Sequence, residues 1–348
     1  MIYAILSILV SFIIAFGRQI SVFGKIESGL WFFSKFEKKR LVFTLFSVVS
    51  GIISVTVYSI ETTTAVLLSL SLVFLLFSYF FDMRYFFPEI NKVTRTNAEN
   101  VDIDKNTKII GLTLNNSSVA YPLNEAVIPR HIIIDKIDDK QVLISYYALC
   151  QSALAFDTKV GNRELFFRVA GVWRRNMIIY DTKTYSLWQQ ATGECIYGAL
   201  KGRQLELLSG ENMTWGEWKT KHLKTEFAIE CKEARKGYLS REKMNKLINK
   251  ATYKIIVPGF TDLSDLPERE TVFGIQYNGI SRAYPKSLLK EMKNFEDNYA
   301  GKVLQLKHNQ SADYLYAEEK DNSNKIIVEK HWWLGWKEFH PYTEIWKK

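Results

Sequence analysis

Paired cysteines are missing from this chain of 348 residues. Its three cysteines, Cys150, Cys195 and Cys231, stand at wide spacings, and the pattern CxxC does not occur. This absence excludes a zinc knuckle and a thioredoxin-type redox motif. One disulfide at most could form, and nothing in the spacing requires it.

Other signatures of common chemistry are also missing. The sequence has no glycine-rich phosphate loop, no GxSxG turn and no HExxH helix, which are the marks of several nucleotide-binding and hydrolytic enzymes. The net charge of +9 is spread along the chain without a long basic run, so we expect no nucleic-acid binding. The long apolar runs contain no ionisable residue, which argues against a transporter.

Residues 1–87 are mostly apolar and predict a transmembrane region. A helix needs about 20 apolar residues to cross a bilayer. We expect spans at about 2–17, 41–60 and 64–81. The first is short, but it lacks the basic start and the small-residue cleavage site of a signal peptide, so we interpret it as a retained span. Residues 88–106 then form a linker.

The orientation follows from the basic residues of the short connector between the first two spans. Lys and Arg side chains mark cytoplasmic loops. The connector holds six of them against two glutamates: Arg18, Lys25, Lys35, Lys38, Lys39 and Arg40. With three spans, the domain after the last span lies on the same side. The pattern therefore predicts a protein of the bacterial inner membrane with a cytoplasmic domain.

The soluble part contains two pairs of similar motifs in the same order. The stretch GLTLNNSSVAYP (111–122) matches GIQYNGISRAYP (274–285), and each reads as a strand, a tight turn and a returning strand. Downstream of each, WKTKHLKTEF (218–227) matches WKEFHPYTEI (336–345). Two motif pairs in one order indicate an internal duplication.

These motifs and several short β-like runs predict a fold class that is mainly β, or α+β at most. We expect an internally duplicated, antiparallel β domain over residues 107–346. The first copy covers about 107–229 and the second about 255–346. The charged segment 230–254 between them predicts a solvated helical connector.

The motifs in 107–346 resemble the domain of unknown function 3179 family of bacteria and archaea. The matching pieces are AYP at 120–122, His131, YALCQSALAFD at 147–157, GVWRRN at 171–176, TYSLWQQ at 184–190 and TWGEWKTKH at 214–222. The resemblance implies a fold and a site but no established reaction, and many relatives are exported, which leaves the membrane side open. This chain departs from the family at Tyr147, where relatives have a first cysteine, at Ala148, where they have proline, and at Leu223. Disulfide exchange is therefore not expected.

Cys150 and His131 are the candidate catalytic residues. The family has a cysteine at the position of Cys150, and a thiol nucleophile with His131 as its base would suit acyl or sulfur transfer. The carboxylates of Asp135, Asp157 and Asp181 are candidates to orient such an imidazole. The alternative is structural, because free cysteine is among the most buried residue types.

A second possibility is a metal site. Thiolate with imidazole suits zinc or copper, and the candidate ligands are Cys150, His131, His222 and His340. His222 and His340 occupy equivalent places in the two copies, so a shared structural role under the neighbouring tryptophan is the stronger interpretation. His308 and His331 have no counterparts.

The alternative from another class is a non-catalytic binding or scaffold module with an aromatic groove for a carbohydrate or a lipid headgroup. Seven tryptophans supply the aromatic surface, although core packing explains them as well: Trp173, Trp188, Trp215, Trp218, Trp332, Trp333 and Trp336. Arg174, Arg175 and Arg203 are candidates to meet an anionic ligand. The lipid bilayer is the one partner that the sequence predicts.

Overall fold

The computed structural model describes residues 1–23, 28–58, 60–80, 83–123, 130–230 and 236–348. Its N-terminal part is helical and contains α1 (Ile2–Phe23), α2 (Ser28–Val57), α3 (Thr62–Phe80) and the single turn α4 (Met83–Phe86). Two stretches, Lys38–Val57 and Thr62–Phe80, are long and apolar enough to cross a membrane, while the apolar part of α1, Ile2–Gly17, is shorter. The first predicted span falls within α1, and the second and third fall largely within α2 and α3. The second was predicted to reach Ile60, whereas α2 ends at Val57, and Ser59 and Phe81 lie outside the described residues.

Serine side chains join the three long helices. The Oγ of Ser7 on α1 lies 2.8 Å from that of Ser71 on α3 and 3.3 Å from that of Ser47 on α2. Small hydroxyl side chains allow helices to approach closely and supply hydrogen bonds between them. The guanidinium of Arg40 on α2 also donates to the carbonyl of Ser78 on α3 at 2.5 Å. These contacts hold the helices as one bundle.

The first half of the soluble part is built from short strands and one helix. Between β14 and β15 lies the helix α5 (Trp215–Lys221). The strands are β1 (Val93–Asn97), β2 (Lys108–Leu114), β3 (Ser117–Pro122), β4 (Ile132–Ile137), β5 (Lys140–Tyr147), β6 (Ser152–Asp157), β7 (Lys159–Val160), β8 (Arg163–Glu164), β9 (Phe167–Trp173), β10 (Asn176–Asp181), β11 (Leu187–Gln189), β12 (Cys195–Tyr197), β13 (Leu207–Leu208), β14 (Gly210–Thr214) and β15 (Glu226–Glu230).

The second half follows the helix α6 (Arg241–Thr252). A last helix, α7 (Trp333–Phe339), separates its final two strands. The strands are β16 (Thr271–Tyr277), β17 (Ile280–Pro285), β18 (Asn294–Tyr299), β19 (Lys302–Asn309), β20 (Tyr314–Glu319), β21 (Lys325–Ile326), β22 (Val328–Trp332) and β23 (Glu344–Ile345). The prediction of a mainly β domain behind an N-terminal helical region is confirmed.

The two halves have the same strand order. In the first half one sheet runs β15-β3-β2-β14, with β1 added at its edge, and a second sheet runs β13-β6-β5-β4. In the second half the corresponding sheets run β23-β17-β16-β22 and β21-β20-β19-β18. In each half the two sheets enclose apolar side chains of the hairpin strand, such as Ile110 and Leu112 or Phe273 and Ile275. The halves are therefore topologically equivalent.

Two-residue turns join the hairpin strands, as the sequence predicts. The pairing brings Leu114 opposite Ser117 and Tyr277 opposite Ile280. Asn115 and Asn278 both adopt a φ of 50°, the left-handed backbone that asparagine tolerates better than most residues.

A tryptophan packs on a glycine in each half. A β-carbon at Gly111 would overlap the ring of Trp218 on α5, and one at Gly274 would overlap the ring of Trp336 on α7. Each indole then donates to a threonine, from Trp218 to Thr225 at 2.8 Å and from Trp336 to Thr343 at 2.9 Å. The repeated Gly, Trp and Thr of the sequence are thus one packing unit, in which the absence of a glycine side chain makes room for the indole.

The first half carries an additional sheet between β6 and β13. This sheet runs β12-β11-β10-β9. One of its faces buries Trp173 and Tyr180 in the same cluster as Leu30 of α2. The hydroxyl of Ser34 on α2 also donates to the carbonyl of Tyr185 at 2.9 Å. The beginning of α2 therefore rests on the soluble domain.

The connector helix is shorter than the sequence predicts. The segment 230–254 begins with Glu230 at the end of β15, and Cys231 lies outside the described residues. The helix itself starts after Ser240, whose side chain accepts a hydrogen bond from the backbone N–H of Lys243. Serine is favoured at this N-cap position because its side chain satisfies a free backbone N–H group in the first turn of the helix. Met244 and Ile248 anchor the helix in the first-half core.

Candidate functional site

Cys150 lies at the contact between the two halves. It ends the short 3-10 turn Ala148–Cys150 that joins β5 to β6, and it is fully buried. Its Sγ lies 2.7 Å from the carbonyl oxygen of Arg175, to which the thiol donates. A β-carbon at Gly335 on α7 would overlap this sulfur, so the second half covers the thiol directly.

This environment holds Cys150 as a thiol. Burial raises its pKa far above the ordinary value, and the nearby Asn176 side chain and Arg175 charge oppose the rise only in part. The thiolate is the form that attacks an electrophile or binds a metal. In the structure Cys150 therefore acts as a packed, hydrogen-bonded side chain.

Two arginines and one glutamate close the same contact. Arg174 and Arg175 form the turn between β9 and β10 with φ values of 49° and 56°. Glu338 on α7 is fully buried, and its carboxylate lies 3.0 Å from Arg174 Nε and 2.8 Å from Arg175 Nη1. The backbone N–H groups of Phe260 and Thr261 donate to the same carboxylate. These arginines are thus occupied by an internal carboxylate and are not arranged to receive an external anion.

A buried amide network lies beside Cys150, and the sequence reasoning did not assign it. The side-chain oxygen of Gln190 accepts from Asn176 at 3.0 Å and from Ser152 at 3.1 Å, and its nitrogen donates to Ser145 at 3.2 Å. All four residues are fully buried. Asn176 and Gln190 belong to two of the motifs that carry the family resemblance, GVWRRN and TYSLWQQ. These motifs are the sequence feature that could have pointed to the network. Their arrangement is fully internal and fixes the β5–β6 and β10–β11 connections against each other.

His131 is buried and has its own partner. It adopts a φ of 64°, and its Nδ1 lies 2.8 Å from the carbonyl oxygen of Tyr146. Burial lowers its pKa to about 4. Its ring packs against Phe87 at 4.5 Å, and Tyr147 is a further ring neighbour at 6.5 Å. No described hydrogen bond joins His131 to Cys150, so the general-base role remains a prediction without a contact to support it.

His222 and His340 pack on the repeated tryptophans. The ring centroids lie 3.9 Å apart both for His222 with Trp218 and for His340 with Trp336. Nδ1 of His222 lies 3.3 Å from the hydroxyl of Ser118, and Nε2 of His340 lies 3.2 Å from the amide nitrogen of Gln276. Burial lowers both pKa values, that of His340 to about 4. This placement agrees with the structural role that the sequence favours.

The metal hypothesis gains no support. Among the residues that the structure describes, no group of three or more His, Cys, Asp or Glu side chains lies together as a metal site would require. The three candidate carboxylates have other partners. Asp135 accepts from Tyr121 at 2.7 Å, Asp157 pairs with Lys140 at 3.0 Å, and Asp181 accepts the N–H of Thr184 in its own turn.

The tryptophans do not form a groove. All seven of those proposed for an aromatic surface are at most 6% exposed, so the core interpretation is the correct one. Arg203 is exposed, and its backbone joins the β12 region through Leu200 and Cys195. Neither set builds a binding surface.

An open cleft lies elsewhere, between the two halves. Its volume is about 860 Å³. The floor is the outer face of the sheet β18 to β21, where Gln305, Lys307, Tyr316 and Glu318 point away from the core. The wall is formed by first-half residues: Ser209, Glu211, Glu217, Thr220 and Lys221. Pockets of 300 to about 1,000 Å³ are typical of ligand sites.

The cleft combines aromatic rings with side chains of both charges. Tyr316 is half-buried, and it meets the ring of Tyr314, which is only 4% exposed, edge to face at 4.8 Å. Lys221 lies over the Tyr316 ring at 4.7 Å and pairs with Glu211. Glu217 accepts from Asn309 at 3.1 Å. Hydrogen-bonding groups of every kind are present, and neither charge dominates.

The chain matches a protein-family model. Residues 86–327 match the model described as a protein of unknown function, DUF3179. The chain belongs to this family. Neither a curated protein nor a solved structure matches it. The DUF3179 match covers both topologically equivalent halves up to β21, including Cys150, Asn176 and Gln190, so the buried amide network lies within the family domain.

Proposed function

We propose that this DUF3179 protein is a membrane-anchored, non-catalytic binding module that holds a neutral, hydroxyl-rich ligand of the carbohydrate class. The observation that carries the proposal is the cleft of about 860 Å³ between α5 and the sheet β18 to β21. A sugar presents apolar C–H faces, which suit aromatic rings, and many hydroxyl groups, which need donors and acceptors. The lining supplies both.

The charges of the cleft favour a neutral ligand over an ion. Its acidic side chains are Glu211, Glu217, Glu296 and Glu318, and its basic ones are Lys221, Lys307 and Lys325. Glu211 is paired with Lys221 and Glu296 with Lys320. Amides and hydroxyls complete the lining: Asn294, Gln305, Asn309, Ser209 and Thr220. Such a mixed surface gives no net attraction for a polyanion or a cation.

The environment of Cys150 supports a binding role over catalysis. A thiol nucleophile needs a lowered pKa and a base within hydrogen-bond reach. Here burial raises the pKa of Cys150, and its thiol donates to a backbone carbonyl. The Cys150 and His131 site therefore stands as the second hypothesis, and catalytic turnover that is lost in Cys150→Ser with the fold unchanged would favour it.

Anchoring in the membrane is part of the proposal. Two helices have the length and apolar character of spans. The contact of Ser34 with Tyr185 places the start of α2 beside the soluble domain, which supports a common side for the basic connector and the domain. The positive-inside rule then favours the cytoplasmic side.

An origin by duplication completes the proposal. Its support is the common strand order and the repeated Gly, Trp, Thr and His contacts of the two halves. Under this interpretation α5 and α7 are equivalent helices with different surroundings, and α5 is the one that borders the cleft. The equivalent helix α7 instead packs on Cys150 through Gly335.

Binding is tested with the full chain in lipid nanodiscs on an array of neutral and charged oligosaccharides, followed by calorimetry with the best neutral one. We expect saturable binding that Tyr316→Ala weakens by about tenfold, because stacking on this ring contributes of the order of 1 kcal/mol or more. Tyr342→Ala is the matched control, since Tyr342 is 94% exposed and does not line the cleft. The proposal fails if no neutral oligosaccharide binds, or if both variants bind equally well.

A further inference from the structure

Three lysines share one carboxylate at a second contact between the halves: Lys108 of β2, Lys286 of the 3-10 turn that follows β17, and Lys330 of β22. Lys330 Nζ lies 2.6 Å from Asp313 Oδ2, and Lys286 Nζ lies 2.7 Å from Asp313 Oδ1. Lys108 of the first half approaches Oδ2 at 3.3 Å. Asp313 is held in the β19–β20 connection at a φ of 55°. None of the four residues lines the cleft, so this cluster is independent of the proposed function.

The cluster carries more positive than negative charge. Within the described part of the chain, Asp313 is the one carboxylate in ion-pair contact with any of the three lysines. Three ammonium groups and one carboxylate leave an excess of two positive charges. Like charges at this separation repel one another, and the repulsion is stronger where water is partly excluded.

Burial adds to the imbalance. The side chain of Lys330 is only 17% exposed. Burial and the two neighbouring lysines lower its pKa to about 8, against the attraction of Asp313. Burial alone would raise the pKa of Asp313, but Lys330, Lys286 and Lys108 together hold it below the usual range. The cluster of three lysines and Asp313 therefore has too little negative charge to balance its positive charge.

We propose that this cluster is a binding site for a small oxyanion with two negative charges, such as phosphate or a phosphate monoester. The side chains of Lys108 and Lys286 are 43% and 44% exposed, so both lie at the protein surface. An ammonium group carries three donors, and Asp313 uses one on each of these two lysines. The remaining donors hold the anion, whose two charges balance the excess. Phosphate monoesters carry close to two negative charges at neutral pH.

The site distinguishes a dianion from a singly charged phosphodiester such as a lipid headgroup. The test is calorimetry at pH 7.5 and constant ionic strength on the full chain in phosphatidylcholine nanodiscs. The probes are methyl phosphate and dimethyl phosphate. We expect saturable binding of methyl phosphate, with dimethyl phosphate bound about tenfold more weakly.

Variants locate the site. Lys108→Gln and Lys286→Gln are each expected to weaken methyl phosphate binding about tenfold, because each removes a charge-assisted donor. Both lysines are partly exposed, so these variants should fold. Lys320→Gln is the control, since this exposed lysine pairs with Glu296 away from Asp313. The proposal is overturned if methyl phosphate does not saturate, if dimethyl phosphate binds equally well, or if the Lys108 and Lys286 variants bind like the control.

Discussion

Cys150 is expected to be chemically silent in the folded protein. The thiol is fully buried, covered by Gly335 and hydrogen-bonded to a carbonyl, and burial raises its pKa. Iodoacetamide alkylates thiolates, so native protein at pH 8 should show no carbamidomethyl group on Cys150 by mass spectrometry. Cys195 is also buried and has its pKa raised to about 12, so it should behave in the same way.

Urea-unfolded protein provides the control for this labelling. Both thiols should then react at similar rates, since their environments become alike. Rapid alkylation of Cys150 but not of Cys195 in the folded chain would contradict the structural role and revive the nucleophile hypothesis.

Because His131 is buried, we expect the folded protein to lose stability in mild acid. Its folded pKa of about 4 lies below the ordinary 6.5, because burial favours the neutral imidazole. The unfolded state therefore binds more protons between these values. The stabilising effect is complete above pH 6.5 and is lost as the pH falls towards 4, by about 3 kcal/mol at the limit.

Urea unfolding followed by tryptophan fluorescence between pH 7 and pH 4.5 measures this effect. His131→Asn is the matched variant, since asparagine tolerates the left-handed backbone of this position. The variant should be less stable at pH 7 but less sensitive to acid. An unchanged acid dependence would show that other groups, such as His340, dominate.

Single residues were predictable where their role is local. The dipeptides Asn115-Asn116 and Asn278-Gly279 favour a two-residue turn, and in the structure both Asn115 and Asn278 adopt a positive φ. The burial of Cys150 was not predictable in the same way. It depends on Gly335, which comes from the other half of the chain and reaches the thiol only in the folded protein.

Helix α7 connects the two halves through Glu338. Its buried carboxylate holds Arg174, Arg175 and two backbone N–H groups. Glu338→Gln should destabilise the protein by about 3 kcal/mol, because two guanidinium groups then lose their counter-charge in a partly buried place. The free energy of unfolding in urea is the measurement.

Glu242→Gln is the matched control for Glu338→Gln. Glu242 pairs with Lys246 on the surface of α6, where solvent screens the pair. It should leave the unfolding midpoint unchanged. Equal stability of both variants would mean that the arginines find other partners and that α7 does not depend on Glu338.

Elements were predictable to different degrees. The hairpins follow from alternating side chains and turn residues. Helices α5 and α7 were not predicted, because each has only seven residues and too few turns to show an apolar period. Their position is set by the indole rings that pack on Gly111 and Gly274. The connector helix was predicted, although it begins later, at Arg241.

At the scale of the whole molecule, the cleft could not be predicted from the sequence. The tryptophans are the aromatic residues that the sequence suggests for a binding surface, but they are buried in the cores. The cleft is lined by Tyr314, Tyr316 and polar residues that the sequence separates from α5, and it exists only because the two halves meet. A surface formed between distant segments leaves no local pattern. The repeated motifs, in contrast, are local, and they lie in corresponding strands and helices of the two halves.

The contact between the start of α2 and the soluble domain predicts that the basic connector and the domain lie on the same side of the membrane. A single cysteine introduced by Lys320→Cys on the soluble domain, in a chain with the native cysteines replaced by serine, should react with a membrane-impermeant maleimide only after cell lysis. Glu61→Cys is the control, because Glu61 lies between α2 and α3, at the ends of the two candidate spans that are farther along the chain from the basic connector and the soluble domain. It should react in intact cells. Labelling of Lys320→Cys in intact cells with protection of Glu61→Cys would place the domain outside. That result would show that the basic connector, which rests on the same domain through Ser34 and Tyr185, does not determine the orientation.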